Sequence, residues 1–335
     1  MTDSNAAELM RLLTAKWYPP VIGVLADLGI ADHLVDGPRP AGELAAAVGA
    51  HPGALHRLLR AAVSIGLFTH DGSGNFGLSP MSEHLRSDRP GSLRPAAVMF
   101  AMEPFWSPYG RIRHSVLTGE PAFDQLHGMS IYQYLSENPD QAATFGAAAA
   151  AFHAQAVTQI AISHDFSRYG TVVDVGGGTG SLLAAILRAH PAVRGVLFDR
   201  PDVIAKAYET FEQEKLTDRI ELVSGDFFES VPSGDALLIK SCLHNFSDAE
   251  ATEILRVMRR ATPPEATLLV AETVVPSGDG PHYSKLDDIE MLVIAGGADR
   301  DEQEYTRLLT AGGFSLQSVT PCGERFSLLE ARPAG

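Results

Sequence analysis

Cysteine, basic residues and long hydrophobic runs are all scarce in this chain of 335 residues. Its two cysteines, Cys242 and Cys322, are too few for a disulfide framework and are typical of a protein kept in a reducing compartment. Lysine and arginine number 26 against 41 aspartates and glutamates, which gives a formal net charge of -15. Because binding to nucleic acid or to an anionic membrane requires basic patches, this balance argues against a general binder of either kind.

The sequence also lacks the pattern of a secretory signal or a membrane span. Its first residues, MTDSNAAELMRLL, contain no basic region followed by a long apolar core. No uncharged apolar run reaches the roughly 20 residues that a membrane-spanning helix needs. We therefore expect a cytoplasmic protein that has no membrane partner.

The first part of the chain carries helix and turn signals in the order typical of a winged helix. Apolar residues recur at three- and four-residue spacing over 6–35, and 41–67 predicts a short helix, a turn and a longer amphipathic helix. Residues 69–80, THDGSGNFGLSP, predict a β-hairpin. A winged helix can recognise DNA or support dimerisation, and the near balance of charge over 39–89 favours dimerisation. A ligand-sensing DNA-binding regulator stays open as an alternative.

A homodimer is expected from the same region. A single winged helix offers little surface against which the apolar helices of residues 6–35 could be buried. A second chain is therefore expected to bury them. We therefore expect two copies of the chain to pack through their N-terminal helices.

From residue 171 onward, apolar strands alternate with helices, which predicts a parallel sheet covered by helices. Five segments predict parallel strands: TVVDV (171–175), VRGVLFD (193–199), RIELVSGD (219–226), DALLIKSCL (235–243) and TLLVAETVV (267–275). FSLQSVTP (314–321) and RFSLLEARP (325–333) are joined by a short turn and predict a terminal antiparallel hairpin. A mixed seven-stranded sheet of this kind is characteristic of S-adenosylmethionine-dependent methyltransferases.

A glycine-rich turn, TVVDVGGGTGS at 171–181, follows the first of these strands and predicts close approach of a ligand to the backbone. Ser181 stands where the nicotinamide-dinucleotide pattern has its third glycine, so the match to that pattern is partial.

Residues at the ends of the next strands could also contact a cofactor. Asp199, at the end of the second strand, suits the ribose of a nicotinamide dinucleotide and that of S-adenosylmethionine equally. Asp226 and Phe227, after the third strand, favour adenine recognition by a carboxylate and a stacked ring. Lys240 lies near the end of the fourth strand and should face the ligand's carboxylate or an acid beside the cofactor, because an unpaired buried ammonium is costly.

With these motifs the chain resembles the small-molecule O-methyltransferases of the caffeate/hydroxyneurosporene type, in their bacterial natural-product branch. Its most specific segments are VVDVGGGTGSLLAAIL, GDFFESVPSGDALLIKSCLHNFSD, VAETVVP and KLDDIEMLVIAGGADRDEQEYTRLLTAGGF. The resemblance covers essentially the whole chain. It implies an α/β fold with an N-terminal helical, winged-helix dimerisation domain at 1–100. A C-terminal Rossmann-like class I methyltransferase domain is expected at 101–335, with a helical substrate-binding region at 101–165.

The resemblance also implies roles for individual residues. His244 matches the catalytic base, Glu272 the acid that orients it, and Asp299 the acid on its other side. The residues expected to hold S-adenosylmethionine are Gly176, Gly178, Asp199, Asp226, Phe227, Lys240 and His153. Trp106, Phe152 and Met291 are expected to line the pocket of an aromatic substrate. No histidine, cysteine and carboxylate cluster has ligand spacing, so no metal is expected.

Three departures from the family pattern touch the expected site. Gly146 and Ala149 stand in the helix that usually reads Phe-Asn-x-x-Met, which predicts a smaller and less polar pocket floor and a bulkier or differently oriented substrate. Asn245 stands where the family commonly has aspartate, and Asp299 is one methylene shorter than the usual glutamate, which predicts a looser hold on His244. The expected reaction is transfer of a methyl group to a phenolic oxygen, with His244 taking the proton. The departures at Asn245 and Asp299 keep a second function open, in which the chain binds S-adenosylmethionine for hydroxylation, decarboxylation or pericyclic chemistry.

Overall fold

A computed structural model describes residues 4–335, apart from the side chain of Gln155. The first half of the described chain is mainly helical. Its elements are α1 (Ser4–Thr14), α2 (Tyr18–Asp27), β1 (Arg39–Pro40), α3 (Ala41–Val48), α4 (Pro52–Ser64), β2 (Phe68–His70), β3 (Asn75–Leu78), α5 (Arg94–Ala101), α6 (Glu103–Trp106), α7 (Ile112–Thr118), α8 (Ala122–His127), α9 (Ile131–Glu137) and α10 (Pro139–Ser163).

Strands and helices alternate in the second half. They are β4 (Thr171–Val175), α11 (Ser181–Ala189), β5 (Arg194–Asp199), α12 (Pro201–Gln213), β6 (Ile220–Ser224), β7 (Ala236–Lys240), α13 (Asp248–Ala261), β8 (Thr267–Glu272), β9 (Val274–Val275), α14 (Ser284–Glu290), β10 (Arg300–Asp301), α15 (Glu302–Ala311), β11 (Phe314–Cys322) and β12 (Phe326–Pro333). A π-helical segment, Met291–Ala295, continues α14.

The chain divides into two compact units, which are described separately. One contains the residues up to Arg111 together with Met129–Ala154, and the other contains Ile112–Gly128 together with Gln155–Gly335. The domain boundary between residues 100 and 101 stays a prediction.

The first unit contains the expected winged helix. α3, a turn and α4 lead into the antiparallel pair β2 and β3, and β1 adds a third strand beside β3. The side chain of His51 accepts a hydrogen bond from the Ala54 amide at 3.3 Å and so begins α4. Leu25, Leu59 and Phe76 lie in the buried core that joins these elements to α2.

The second unit is built on a seven-stranded sheet in the order β11-β12-β8-β7-β4-β5-β6. Strands β4 to β8 are mutually parallel, and the hairpin of β11 and β12 joins the edge of β8 in antiparallel register. Separate clusters of buried apolar residues pack on its two faces, as expected for a sheet between helices. The prediction of five parallel strands with a terminal hairpin is confirmed.

Two of the predicted strands end earlier than the sequence indicates. The strand expected at 235–243 stops at Lys240, because Ser241 takes a left-handed backbone conformation with φ of 51°. The strand expected at 267–275 is interrupted at Thr273. Its last two residues, as β9, instead pair in parallel with β10 in a small separate sheet. Both breaks occur at the edge of the main sheet where the candidate site lies.

Within residues 4–335, no single helix combines the length and apolar composition of a membrane span. The two parts of α10 pass that test only when taken together, on length and composition alone, and buried helices of a protein core pass it as well.

Candidate active site

The carboxyl ends of parallel strands meet at one edge of a sheet, and ligands of open α/β sheets bind outside that edge. Asp199 is the last residue of β5, Lys240 of β7 and Glu272 of β8. Asp226 follows β6 by two residues. The second unit therefore brings these four predicted residues to the same edge of its sheet.

The glycine turn between β4 and α11 is possible only because several of its residues lack a side chain. Gly176, Gly178 and Gly180 all have positive φ, at 68°, 62° and 80°. A Cβ on Gly180 would lie 2.5 Å from the Phe211 ring, whereas no atom of the described chain lies within 4 Å of one placed on Gly178. The backbone at Gly178 is thus open, as a backbone that approaches a ligand must be.

The carboxylate of Asp199 is tied to the glycine turn. Its Oδ2 accepts the Gly178 amide at 2.8 Å, and its Oδ1 accepts the Arg200 amide at 2.7 Å. Burial raises the pKa of Asp199, and these two amides oppose that effect. The carboxylate is thereby fixed in direction at the end of β5.

Asp174 lies beneath the same turn and was not among the predicted site residues. It is 1% exposed, and neither of its carboxylate oxygens has a hydrogen-bond partner within residues 4–335. Burial raises its pKa to about 7, with the charge of Lys240 acting in the opposite direction. An acid at the end of a strand, directly before a glycine turn, is the signal by which sequence reasoning could have found it.

Asp226 and Phe227 follow β6 at the carboxyl edge of the sheet, and their contact with adenine stays a prediction. The Asp226 carboxylate accepts the Phe228 amide at 2.8 Å, which shapes the turn after β6. The Phe227 ring packs edge-on against Phe246 at 5.8 Å between centroids. It also lies 3.7 Å from the position of a Cβ on Gly176, so the ring borders the glycine turn.

Lys240 is held at the end of β7 by its neighbours. Its Nζ donates to Ser241 Oγ at 3.3 Å and lies 5.8 Å from the centroid of the Phe326 ring. Burial lowers the pKa of Lys240, while the nearby acids Asp174 and Glu272 act to raise it. Lys240 thus lies near two acids at the carboxyl edge of the sheet, and its place beside the cofactor stays a prediction.

His244 lies on a short 3-10 helix, Leu243–Asn245, that follows β7. Its Nδ1 is 3.1 Å from Asp299 Oδ1 and 3.8 Å from Glu272 Oε2. The histidine side chain is 13% exposed, and both carboxylates are fully buried. Because a carboxylate can only accept, Nδ1 carries the proton and donates it to Asp299.

The two acids have different tasks. Sequence reasoning predicts a looser hold by the shorter Asp299, but Asp299 makes the direct hydrogen bond and Glu272 lies farther from the ring. Glu272 Oε1 instead accepts the backbone amides of Cys242 and Leu243, each at 2.9 Å. Asp299 therefore reaches hydrogen-bond distance of His244 despite its shorter side chain, and a hold looser than that of a glutamate stays a prediction.

The carboxylates around His244 favour its charged form. Burial alone would lower the pKa of His244, but the charge of Glu272 and the hydrogen bond to Asp299 outweigh burial and raise it. Asp287, on α14, acts in the same direction. Asp288, also on α14, accepts the Asp299 amide at 2.9 Å and so fixes the segment that carries Asp299. Sequence reasoning missed both residues of α14.

The remaining predicted residues are divided between the two units. Met291 begins the π-helical segment of the second unit, and π-helical turns are frequent at functional sites. Trp106, Phe152 and His153 belong to the first unit. Trp106 is 37% exposed, and Phe152 packs against His153 at 5.7 Å between centroids. Their contacts with cofactor and substrate stay predictions.

No group of three or more histidine, cysteine, aspartate or glutamate residues in the described part of the chain is arranged to hold a metal ion.

Comparison with known proteins identifies the class. Residues 109–315 match the O-methyltransferase domain family, and residues 10–88 match the O-methyltransferase dimerisation domain. The chain belongs to this family of S-adenosylmethionine-dependent methyltransferases. These matches confirm the predicted family, the Rossmann-like fold and the N-terminal dimerisation domain.

Individual relatives and solved structures are similar to this chain over nearly its whole length. The chain is 40% identical to the phenazine O-methyltransferase PhzM of Lysobacter antibioticus, over 99% of this chain and 100% of the relative. It superposes on the structure of the mitomycin 7-O-methyltransferase MmcR with a TM-score of 0.93 and 36% identity, covering 100% of both chains. The neocarzinostatin O-methyltransferase NcsB1, solved with S-adenosylmethionine and 2-hydroxy-5-methyl naphthoic acid, gives a TM-score of 0.83 at 33% identity, covering 94% of this chain and 95% of that one. Some relatives are named N-methyltransferases.

Proposed function

We propose that this enzyme methylates a phenolic hydroxyl of an aromatic natural product or of one of its biosynthetic intermediates, with His244 as general base. The observation that carries the proposal is the His244–Asp299 hydrogen bond of 3.1 Å, backed by Glu272, at the carboxyl edge of the sheet. A histidine held by buried carboxylates, on a fold that binds S-adenosylmethionine, is the arrangement that proton removal during methyl transfer requires.

The residues of the sheet edge suit the cofactor. The open backbone at Gly178 admits a ligand, and Asp199 offers a carboxylate of fixed direction to the ribose. Asp226 and Phe227 would take the adenine, and Lys240 would lie beside the cofactor with Gly176 at its methionine part. S-adenosylmethionine supplies the electrophilic methyl group when it is bound.

His244 would act through Nε2. Since Nδ1 donates to Asp299, Nε2 is the nitrogen left to accept a proton from a phenol. A free phenol has a pKa near 10, so removal of its proton at neutral pH benefits from a base, by roughly 10²- to 10⁴-fold. Asp299 and Glu272 would stabilise the imidazolium that forms and fix the ring in one orientation.

A phenol panel tests this proposal. The purified enzyme is incubated with S-adenosylmethionine and hydroxylated phenazines, naphthoates and benzoates, and methylated products are identified by mass spectrometry. We expect His244→Ala to lose at least about 10²-fold in rate. His164→Ala is a matched control, because His164 has an 11% exposed side chain and a carboxylate, Glu330, at 4.0 Å. Undiminished activity of His244→Ala would contradict the assignment of the base.

A nitrogen acceptor is a second candidate, favoured by the relatives that are named N-methyltransferases. An aromatic amine needs less assistance from a base than a phenol, because the free amine is already the nucleophile. Including aminobenzoates in the panel distinguishes the two candidates. Methylation at nitrogen that survives His244→Ala would favour this second function.

Non-methylating chemistry, the other function that the sequence leaves open, rests on the departures at Asn245 and Asp299. Asp299 keeps its hydrogen bond to His244, and Asn245 Nδ2 donates to the Ser241 carbonyl at 3.0 Å, within the turn that carries His244. Neither contact weakens the proposed base. Conversion of a panel substrate without consumption of S-adenosylmethionine would support the non-methylating function.

The enzyme is also proposed to act as a homodimer in the cytoplasm. The match to the dimerisation domain and the exposed apolar residues of α1 support the dimer.

A further inference from the structure

Several backbone polar groups around His244 are hydrogen-bonded by other parts of the second unit. We call residues 241–246 the histidine turn. Glu272 accepts the amides of Cys242 and Leu243, and the Asn245 side chain donates to the Ser241 carbonyl. The Ser241 amide donates to the Ala271 carbonyl of β8 at 3.1 Å, so bonds from within the turn and from outside it hold the left-handed conformation of Ser241, with φ of 51°.

Arg300 supplies further bonds to this turn. It is 2% exposed, and its Nη1 donates to the Leu243 carbonyl at 3.1 Å while its Nη2 donates to the Phe246 carbonyl at 2.8 Å. Its Nε donates to Asp248 Oδ1 at 2.9 Å, in the first turn of α13. The guanidinium thereby joins both ends of the 3-10 helix that carries His244 to the helix that follows.

The same guanidinium reaches the segment that carries Asp299. Nη1 also donates to the Ala298 carbonyl at 3.2 Å, and the Ala298 amide donates to the His244 carbonyl at 2.9 Å. A Cβ on Gly297 would lie 1.9 Å from that carbonyl, so the two backbones are in close contact there. Arg300 lies in β10 and pairs with Val274 of β9, which anchors its backbone to the small separate sheet.

We propose that Arg300 is a positioning residue: its guanidinium holds the histidine turn and the segment of Asp299 in register and thereby keeps His244 at hydrogen-bond distance from Asp299. The inference rests on the proposed role of His244 as base. Burying a cation is expensive unless its donors are bonded, and Arg300 bonds through all three of its guanidinium nitrogens. Its planar fork presents five N–H donors at fixed angles to carbonyls on several segments, whereas a lysine ammonium is a compact charge with three donors and cannot reproduce that geometry.

The proposal has a consequence for the titration of His244. The charged groups that face the histidine are Glu272 at the end of β8, Asp299 before β10 and Asp287 on α14. If Arg300 fixes the distance to Asp299, loosening that distance weakens the hydrogen bond that favours the imidazolium. The pKa of His244 should then move down towards its ordinary value.

The experiment is an NMR titration of the full-length protein with isotope-labelled histidine, with the His244→Ala variant assigning the signal. Arg300→Lys should lower the titration midpoint of His244, and in the methyl-transfer assay should lower kcat by about tenfold to a hundredfold with a smaller change in KM. The matched control is Arg219→Lys. Arg219 donates to four backbone carbonyls, those of Leu187, His190, Pro191 and Val193, at the amino edge of the sheet. The Arg219→Lys variant should have a lower melting temperature and an unchanged titration midpoint of His244.

An unchanged midpoint in a folded Arg300→Lys variant would overturn the proposal. If that variant does not fold, Asp248→Ala tests the same point, because it removes only the bond to Nε and should lower the midpoint by a smaller amount. An unchanged midpoint in folded Asp248→Ala would then count against the proposal. The titration does not depend on turnover, so loss of the proposed function would be seen separately, as full activity of His244→Ala.

Discussion

At the scale of single residues, the raised pKa of His244 has a direct consequence for the pH dependence of the reaction. A histidine acts as a base only when deprotonated, so kcat/KM should rise with pH. Because Glu272 and Asp299 raise the pKa, the midpoint of that rise should lie above the ordinary histidine value of 6.5. Asp299→Asn should shift the midpoint downward and lower the plateau by up to roughly 10⁴-fold, since the imidazolium loses its partner.

Asp287→Asn is the control for this prediction, because Asp287 acts on His244 through its charge alone. It should move the midpoint in the same direction while leaving most of the plateau rate. The measurement is a pH profile of kcat/KM for the wild type and both variants. A wild-type midpoint below 6.5, or an Asp299→Asn midpoint above that of the wild type, would contradict the assignment.

Asp174 should make the cofactor-free enzyme less stable as the pH rises. Its pKa is about 7 in the folded state against 3.8 ordinarily, so the folded state binds more protons than the unfolded state between these values. Stability is therefore lost through this window and stays low above pH 7. Asp174→Asn should be more stable than the wild type at pH 8, by on the order of 4 kcal/mol at most, and equal to it near pH 3.5.

Urea unfolding of both proteins across this pH range measures the difference. Asp165→Asn is a suitable control, since Asp165 is an exposed acid whose pKa is lowered by hydrogen bonds to Ser167. It should show no gain of stability at pH 8. An Asp174→Asn variant that is less stable than the wild type at pH 8 would mean that the carboxylate is stabilising in the folded state.

The residues of the site differ in how far the sequence could predict them. Asp199 and Glu272 end strands whose apolar pattern is strong, and His244 follows another, so their meeting at one sheet edge follows from the topology. Arg300 and Asp288 act through contacts between segments distant in sequence from the histidine turn. Local pattern contains no information on such contacts, and a buried arginine in a polar stretch has no signature of its own.

At the scale of structural elements, substitutions in the glycine turn allow the stability cost of backbone strain to be measured separately from the loss of ligand contact. Gly178→Ala places a Cβ in open space at a φ of 62°, which costs about 1–2 kcal/mol. Gly119→Ala is a matched control in the same unit, with a φ of 78° and likewise no described atom within 4 Å. Both should lose similar stability. Only Gly178→Ala should weaken binding of S-adenosylmethionine, as measured by isothermal titration calorimetry.

Equal affinities of the two variants for S-adenosylmethionine would show that the cofactor does not approach Gly178. Gly180→Ala should be worse than either, because its Cβ would lie 2.5 Å from the Phe211 ring. Its main effect should be on the melting temperature, since the clash lies in the packing of α12 on the sheet.

The elements themselves were largely predictable, and the failures have a common cause. The alternation of apolar strands and helices in the sequence predicted the five parallel strands, and the turn signals at 69–80 predicted the hairpin of β2 and β3. The strand ends at Lys240 and Thr273 were misplaced because apolar residues continue beyond them. There the backbone leaves the sheet to carry His244 and to pair with β10, and tertiary contacts override the local pattern.

At the scale of the whole molecule, the N-terminal helix should form a subunit interface. α1 has no buried residue in the single chain. Met10 and Leu13 of α1 and Trp17 of the 3-10 turn that continues it are each 60% exposed, at spacings of three and four residues. Such a stripe on one helix face is expected to be covered by another chain, and residues 10–88 match a dimerisation domain. We expect the wild type to have twice the chain mass of 35.8 kDa in solution.

The double variant Leu13→Gln, Trp17→Gln should shift the protein towards the monomer mass in light scattering at low micromolar concentration, because it replaces buried apolar area at the interface with polar amides. Val116→Gln is the matched control: Val116 is 70% exposed on α7, outside the matched dimerisation domain. It should leave the mass unchanged. A monomeric wild type would contradict the dimer. Dissociation by Val116→Gln but not by the double variant would place the interface elsewhere. The winged helix would then have to act through contacts other than α1.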